Sequence, residues 1–353
     1  LSVRGSRTFR FRLLDVVRDY AAEQAVATGE LAAGRQRHAE VVADLSTVIA
    51  PRLTGPDLAD AAARLDDVAG DLGAALAYAA TEDPHTALRI ATALPRWWRF
   101  RGRDVTGRQW LRRLLDDPRT ADADPALRAW AKVGVAQLAR EHGAGGEEID
   151  SAASALADFT RLGVVDGQLA AHSQLAALWM TAGHYDEARR HGTAALALAR
   201  SSGRVRDMAV AENNLTWHEI REGDLTAARR RLTAVDRLAA RCGEHRLRAL
   251  AAANLAEVAR LDGHADEAVR LGRRALAEVE ALGDPNHRRR VLTTVGLALA
   301  DLGRLDEAER VLRELRPANH PDAPVDGPAA VVEAAIALRW GDDKRAAENF
   351  ARA

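Results

Sequence analysis

At 353 residues the chain exceeds one ordinary domain, although arrays of repeated units escape the size limit of a single core. Hydrophobic residues make up 47% of it and aromatic ones only 4%, with alanine and leucine dominant, a composition that favours helices over strands. Lys plus Arg (50) balances Asp plus Glu (51), which excludes an overall field able to draw in nucleic acid or an anionic membrane. Cys242 is the only cysteine, so there is no internal disulfide framework, and a half-buried position near a helix end in a reducing cytoplasm is expected. Arg4, Arg7, Arg10 and Arg12 precede no apolar signal core, so neither export nor membrane insertion is indicated. The first residue is Leu1 and the only methionines are Met180 and Met208, from which a piece of a larger protein is expected.

Taken in chain order, Phe9-Arg10-Phe11-Arg12-Leu13-Leu14 reads as an extended entry that becomes an amphipathic helix, ended by Gly29. A second helix, with Leu31, His38, Val41, Val42, Leu45 and Ile49 on one side, stops at Pro51, and a third runs from about Asp57 to Ala80. Trp97, Trp98, Trp110 and Leu111 flank Gly102 and supply apolar faces for an early, divergent hairpin. Between these rings stand Phe100 and Arg96, Arg99, Arg101, Arg103, Arg108, Arg112 and Arg113. That mixture suits a phosphate or nucleic-acid surface or an acidic partner, but the tryptophan spacing suits inter-helix packing, with arginine stems covering the rings. Packing is the main expectation.

A period of 40 residues runs through Gly143, Gly183, Gly223, Gly263 and Gly303, and again through Gly163, Gly203, Gly243 and Gly283. Glycine recurs because a helix often ends on a residue of positive φ, so each repeat holds two helix stops and two helices. After the first stop, Tyr185-Asp186-Glu187-Ala188, Leu225-Thr226-Ala227-Ala228, Ala265-Asp266-Glu267-Ala268 and Leu305-Asp306-Glu307-Ala308 open the second helix. Each carries alanine at its fourth position, where helices can approach closely. The first helices carry Leu175-Ala176, Leu215-Thr216, Leu255-Ala256 and Val295-Gly296. Four prolines at 317, 321, 324 and 328 interrupt the array, which resumes at Val331–Trp340, Gly341 and Ala346–Phe350.

The large-small pair, the glycine and the alanine five residues later resemble the tetratricopeptide signature, stretched from 34 residues to a period of 40. HEAT-type repeats have similar length but would not require this phrase. An all-α solenoid of antiparallel helix pairs in a right-handed superhelix is expected. Its anticipated division is an N-terminal helical segment over 1–83 and a repeat array over 84–353, with a loop at 317–328. In addition, Phe9 through Ala21, Arg37-His38 and Leu94-Pro95-Arg96-Trp97-Trp98-Arg99-Phe100-Arg101-Gly102 resemble the region behind the nucleotide-binding core of actinobacterial AfsR/SARP-type, LuxR-type and MalT-like regulators, of the signal-transduction ATPase class. The resemblance implies that the first segment leads out of a winged-helix subdomain and that the repeats are a sensor arm, on which a protein or small effector relieves autoinhibition.

No catalytic set is visible. The only lysines, Lys132 and Lys344, follow Ala131 and Asp343, so no Gly-Lys-[Ser/Thr] phosphate loop is present. Ser201-Ser202-Gly203 reads as a helix end, and His172, His184 and His191, lacking an H-E-x-x-H pattern, as residues of solvated faces and turns without a metal. Superposed repeats align Gln174, Asn214, Asn254 and Thr294, a polar ladder able to hydrogen-bond a peptide backbone or small ligand. Asn213, Trp217, Arg221, Glu257, Arg260 and Thr293 are expected around it, although the asparagines could equally bond to neighbouring helices of the array. The expected function is therefore a protein-interaction and effector-sensing module of a cytoplasmic transcriptional regulator, taking a protein or peptide partner or a small effector, with no cofactor, nucleic acid or membrane contact. A free-standing scaffold that binds peptides is the alternative.

Overall fold

The computed structural model describes residues 14–139, 146–316 and 327–353, and these are all-helical, with no strand. The extended entry at Phe9, the Gly143 stop and the proline stretch from Pro317 lie outside the described residues; Pro328 sits in the first turn of a helix.

The building block is a helix of 17 or 18 residues and a short glycine turn. Three hairpins show it best: α10 (Val165–Thr181) with α11 (Tyr185–Ser201), α12 (Val205–Glu222) with α13 (Leu225–Arg241), and α14 (His245–Leu261) with α15 (Ala265–Leu282). Gly163, Gly183, Gly203, Gly223, Gly243, Gly263, Gly283 and Gly303 all have φ between 64° and 80°, as the two glycine registers require. The residue after each glycine closes one helix and opens the next. Thus His184 N donates to Trp179 O at 2.9 Å while His184 O accepts from Ala188 N at 3.1 Å, and Asp224 and His264 do the same. The array continues as α16 (Pro285–Asp301) with α17 (Leu305–Leu315) and α18 (Gly327–Trp340) with α19 (Asp343–Arg352). Ala188, Ala228, Ala268, Ala308 and Ala346 are all fully buried, at the seam where their helix meets its partner.

Upstream the units shorten. α1 (Asp15–Ala27) ends before Gly29, and α2 (Leu31–Ile49) turns its alanine face inward. Ala39, Val42, Ala43, Ser46 and Ile49 are buried on it, whereas Val41 is 64% exposed, so the apolar face is rotated from the one the bulky residues suggest. The single helix expected from Asp57 to Ala80 is instead α3 (Leu58–Asp67) and α4 (Ala69–Glu82), parted at Val68. The break falls where Asp66 is drawn aside to accept from Trp97 Nε1 at 2.8 Å and from Arg101 Nη2 at 2.5 Å. α5 (Pro84–Ala93) and α6 (Pro95–Phe100) together serve as the first half of a hairpin completed, past Gly102, by α7 (Asp104–Asp116). Trp97, Trp98 and Leu111 are buried at this hairpin, and α8 (Pro125–Ala139) with α9 (Gly146–Leu162) leads into the regular units. One hydrophobic core runs from Ala39 of α2 to Leu138 of α8.

The superhelix brings its two ends of the curve together. Arg101 Nη1 donates to Gly283 O, 182 residues away, at 3.4 Å; Leu282 packs on the N-terminal core; the Arg246 guanidinium lies 5.4 Å from the Phe100 ring.

Two helical glycines should respond oppositely to alanine. A Cβ on Gly107 would lie 2.5 Å from Trp98 Cε3 and 2.9 Å from Leu138 Cδ1, whereas one on Gly73 of α4 would meet nothing within 4 Å. Gly73→Ala is expected to stabilise by about 0.5–1 kcal/mol through helix propensity, and Gly107→Ala to destabilise by about 1–2 kcal/mol through overpacking. Thermal melting by circular dichroism checks both signs; a Gly107→Ala protein as stable as wild type contradicts the packing.

Candidate functional site

The curve encloses a cavity of about 1430 Å³. In the array its walls come from the first helix of each hairpin, α8, α10, α12, α14 and α16, because the second helices pack on the outside. On the opposite side it is walled by the end of α2, α5 and α6, the segment that returns to meet α14. The floor is mixed: Ala176, Met180, Val210 and Leu250 are apolar, while Gln174, Asn214 and Trp217 present polar groups or a ring.

Five of the ten sequence-derived residues line this lumen: Gln174, Asn213, Asn214, Trp217 and Asn254. Gln174 Oε1 is buried without a hydrogen-bond partner. Asn254, 1% exposed, is committed to the array, since its Nδ2 donates to Asn213 Oδ1 at 2.9 Å and its Oδ1 accepts from Arg290. Arg290 also sits over the Trp217 ring, 5.2 Å from its centre. The other five lie off the lumen. Arg221 is stacked on the Tyr185 ring at 3.6 Å; Glu257 accepts from Arg260 Nη2 at 2.7 Å and from Thr294 Oγ1 at 2.9 Å; Thr293 Oγ1 donates to Arg289 O at 2.9 Å within its own helix.

An inter-repeat ladder of ion pairs forms the lip. Arg204 pairs with Asp166, Arg206 Nε donates to Glu244 Oε1 at 2.6 Å, and Arg246 Nε to Asp284 Oδ2 at 3.3 Å, each pair 38 residues apart. The residue after the glycine in one unit thus holds the second residue of the preceding first helix. Glu244 and Asp284 are both 3% exposed, and the His287 and Arg246 contacts hold the Asp284 carboxyl well below the usual range. This ladder was legible in the period, had positions 166, 206 and 246 been set against 204, 244 and 284.

The arginine-aromatic run divides. Arg101 is spent on Asp66, Arg103 lies 5.2 Å from the Trp97 ring centre, Arg113 lies 5.4 Å from that of Trp110, and Arg108 and Arg112 pair with Glu148. Arg96 and Arg99 instead line the lumen. Burial within the walls, with Arg206 and Arg246 close by, pushes the Arg96 guanidinium down to about 9 although part of its surface opens on the cavity. Cys242 caps α13 on the same rim, half-buried, its thiol pushed up by burial.

His172 and His191 are not on solvated faces. They meet across the α10–α11 hairpin, Nδ1 to Nδ1 at 3.0 Å, and desolvation with the mutual repulsion of the rings pushes His172 down to about 4. Among the described residues no three His, Cys, Asp or Glu side chains gather as a metal site, and no helix is long and apolar enough to cross a membrane.

Residues 246–318 match the tetratricopeptide repeat family model. No curated protein sequence gives a significant match. A Rap protein complexed with competence and sporulation factor superposes with a TM-score of 0.60 at 14% identity, over 80% of this chain and 78% of that one. Aspartyl phosphate phosphatase F from Bacillus subtilis does so with a TM-score of 0.53 at 12% identity, over 80% and 74%. A signal transduction ATPase with numerous domains, bearing a tetratricopeptide repeat sensor, from Pyrococcus horikoshii gives 0.52 at 13% identity; the match covers 82% of this chain but 44% of that protein. These likenesses establish the fold: the chain is an all-α, tetratricopeptide-like solenoid, a class built for protein interaction.

Burial of the histidines carries a pH signature. His172 is neutral in the fold down to about pH 4 but titrates near 6.5 when unfolded, and His191 and His218 are lowered by burial as well. Protons therefore bind the unfolded chain first, and stability falls as pH drops from 6.5 towards 4. Urea melts across that window should show the slope, made shallower by His172→Gln; an unchanged slope would contradict a neutral His172–His191 pair.

Proposed function

We propose that this chain is the partner-sensing module of a regulatory protein and that its lumen receives an extended peptide segment of that partner. The observation that carries the reading is the lumen itself. At about 1430 Å³ it exceeds the roughly 300–1,000 Å³ of small-molecule pockets, which favours a peptide over the small effector. Its wall keeps hydrogen-bonding capacity unspent, in the orphaned Gln174 Oε1 and in Asn214, beside the broad ring of Trp217. The Rap protein of like fold, complexed with competence and sporulation factor, supports occupation of such a module by a partner. The Pyrococcus protein, whose repeats are called a sensor, supports the regulatory setting.

Placement within a cytoplasmic transcriptional regulator rests on the resemblance of the first hundred residues to the AfsR/SARP-, LuxR- and MalT-like class. A non-enzymatic role accords with the match to the tetratricopeptide repeat family, a fold generally used as a scaffold.

Trp217 is the anchor to test. Peptides selected from a random library on the immobilised chain should bind Trp217→Ala about 1–3 kcal/mol more weakly, a usual hot-spot loss. Arg221→Ala, which lies over Tyr185 and off the lumen, and the exposed Arg241→Ala should bind as wild type. Calorimetric titration of the three variants, with melting followed by circular dichroism, decides. Selected peptides indifferent to Trp217→Ala at unchanged melting temperature would sink the lumen as the partner site.

A further inference from the structure

Seven arginine and four acidic side chains line the lumen, so it carries an excess of positive charge inside a chain that is nearly neutral overall. The arginines are not equivalent. Arg89 reaches Asp44, Arg204 Asp166, Arg206 Glu244, Arg246 Asp284, and Arg290 Asn254, while Arg99 is also engaged. Arg96 has no hydrogen bond, ion pair or ring contact with any described residue. It stands in the second position of α6, on the returning wall, and feels Arg206 of α12 and Arg246 of α14 from across the lumen, offset in part by Glu244 and Asp207. The acids that act on it, Glu244 and Asp207, are already paired: Glu244 is buried against Arg206, and Asp207 lies 3.1 Å from Arg206 Nη1 and 3.5 Å from Arg204 Nε. A guanidinium partly withdrawn from water and left with its donors unpaired by the protein is destabilising, and folded proteins tend to remove such groups unless something else holds them there.

We propose that this corner of the lumen, between α6, α12 and α14, is an oxyanion site in which Arg96 is the direct ligand and the ion-paired Arg206 and Arg246 stand close by. The planar fork of Arg96 presents paired N–H donors, the geometry that a carboxylate or phosphate accepts bidentately. Thr92 Oγ1, one turn earlier on α5, is buried without a partner and opens on the same lumen, which adds a hydroxyl able to donate to the same group. The occupant is therefore a ligand with an oxyanion on it: a carboxylate of a peptide side chain or chain end, or a phosphate. This deepens the reading of the lumen as the partner site, and it names the chemistry that the partner must carry there.

The test uses the chain without any peptide. Inorganic phosphate and succinate are titrated separately at constant ionic strength, and the melting temperature is followed. A saturable rise is expected with at least one of them; a rise with succinate assigns a carboxylate-bearing ligand, a rise with phosphate alone a phosphate. Arg96→Gln should weaken the response at least about tenfold, the loss of one charge-assisted bond, while Arg96→Lys keeps part of it and Arg241→Ala responds as wild type. Without anion, Arg96→Gln should melt at the same temperature or higher, since it removes an uncompensated charge. A lower melting temperature for Arg96→Gln makes Arg96 a structural residue, and equal titration of wild type and Arg96→Gln, or no saturable rise with either anion, overturns the site. If the anion response stands while selected peptides ignore Trp217, the peptide reading fails alone; if peptides bind through Trp217 and the anions do not respond, only the oxyanion site fails.

Discussion

A left-handed glycine and the single residue behind it govern this structure. The residue that follows the glycine donates its N–H back to the helix just ended, as His184 does to Trp179, and offers its C=O to the helix about to begin, as His184 does to Ala188. Sharing one residue leaves no slack in the turn, so the chain reverses at a fixed angle each time and a helix of 17 residues, about 25 Å long, is followed by its antiparallel neighbour. Only a positive φ allows the reversal, which is why eight described stops of the two registers are all glycine. With turn and length fixed, alternate helices must fall on alternate sides of the sheet of helices, and the first helix of every pair faces inward. The lumen is a consequence of the turn.

Regular turns alone would give an open spiral. What closes this one is a small group of contacts between residues far apart in the chain: Arg101 bridging Asp66 and Gly283 O, Phe100 under Arg246, and Leu282 on the N-terminal core. Each is modest, since partly exposed ion pairs are worth about 0–1 kcal/mol. The ladder along the lip is of another kind, because Glu244 and Asp284 are almost wholly withdrawn from water. Removing Arg206 or Arg246 would leave a buried carboxylate uncompensated, which costs far more than the pair contributes when whole. The ladder therefore fixes the register between neighbouring units, and through it the pitch that lets α6 reach α14.

Much of the fold was legible because it is local. Glycine periodicity gave the stops, and alanine at the fourth position of each second helix gave the seams; Gly183 and Ala188 need no distant partner to be understood. Helix faces were less secure: on α2 the bulky residues pointed to Val41, but close packing selected the small residues Ala39 and Ala43 instead. The break at Val68 was passed over although Gly70 follows it, and beside it Asp66 is claimed by Trp97 and Arg101 from another hairpin, a contact no local pattern records. The meeting of His172 with His191 was missed for the same reason, since 19 residues and a turn separate them. Half of the polar positions expected in the groove do line the lumen, and the wall opposite them could not be read at all. Which N-terminal residue faces Arg206 depends on superhelical pitch, a sum over many turns that no single residue encodes.

That opposite wall changes how occupation of the lumen must act. Were the lumen lined by the array alone, a partner would lie along one continuous surface, and binding would do little to the shape of the chain. Here the two walls come from segments more than a hundred residues apart, joined by weak contacts, and Arg96 on one wall faces Arg206 and Arg246 on the other. Arg206 and Arg246 have carboxylates of their own in Glu244 and Asp284, so the guanidinium left without a paired counter-charge at the closure is that of Arg96. An oxyanion held by Arg96 beside α12 and α14, as proposed, would touch both walls, so binding and closure would strengthen one another by the same free energy, whichever comes first. A sensor built this way has no need of a moving lid. The unpaired charge is that of Arg96 alone, and the proposed oxyanion would answer it.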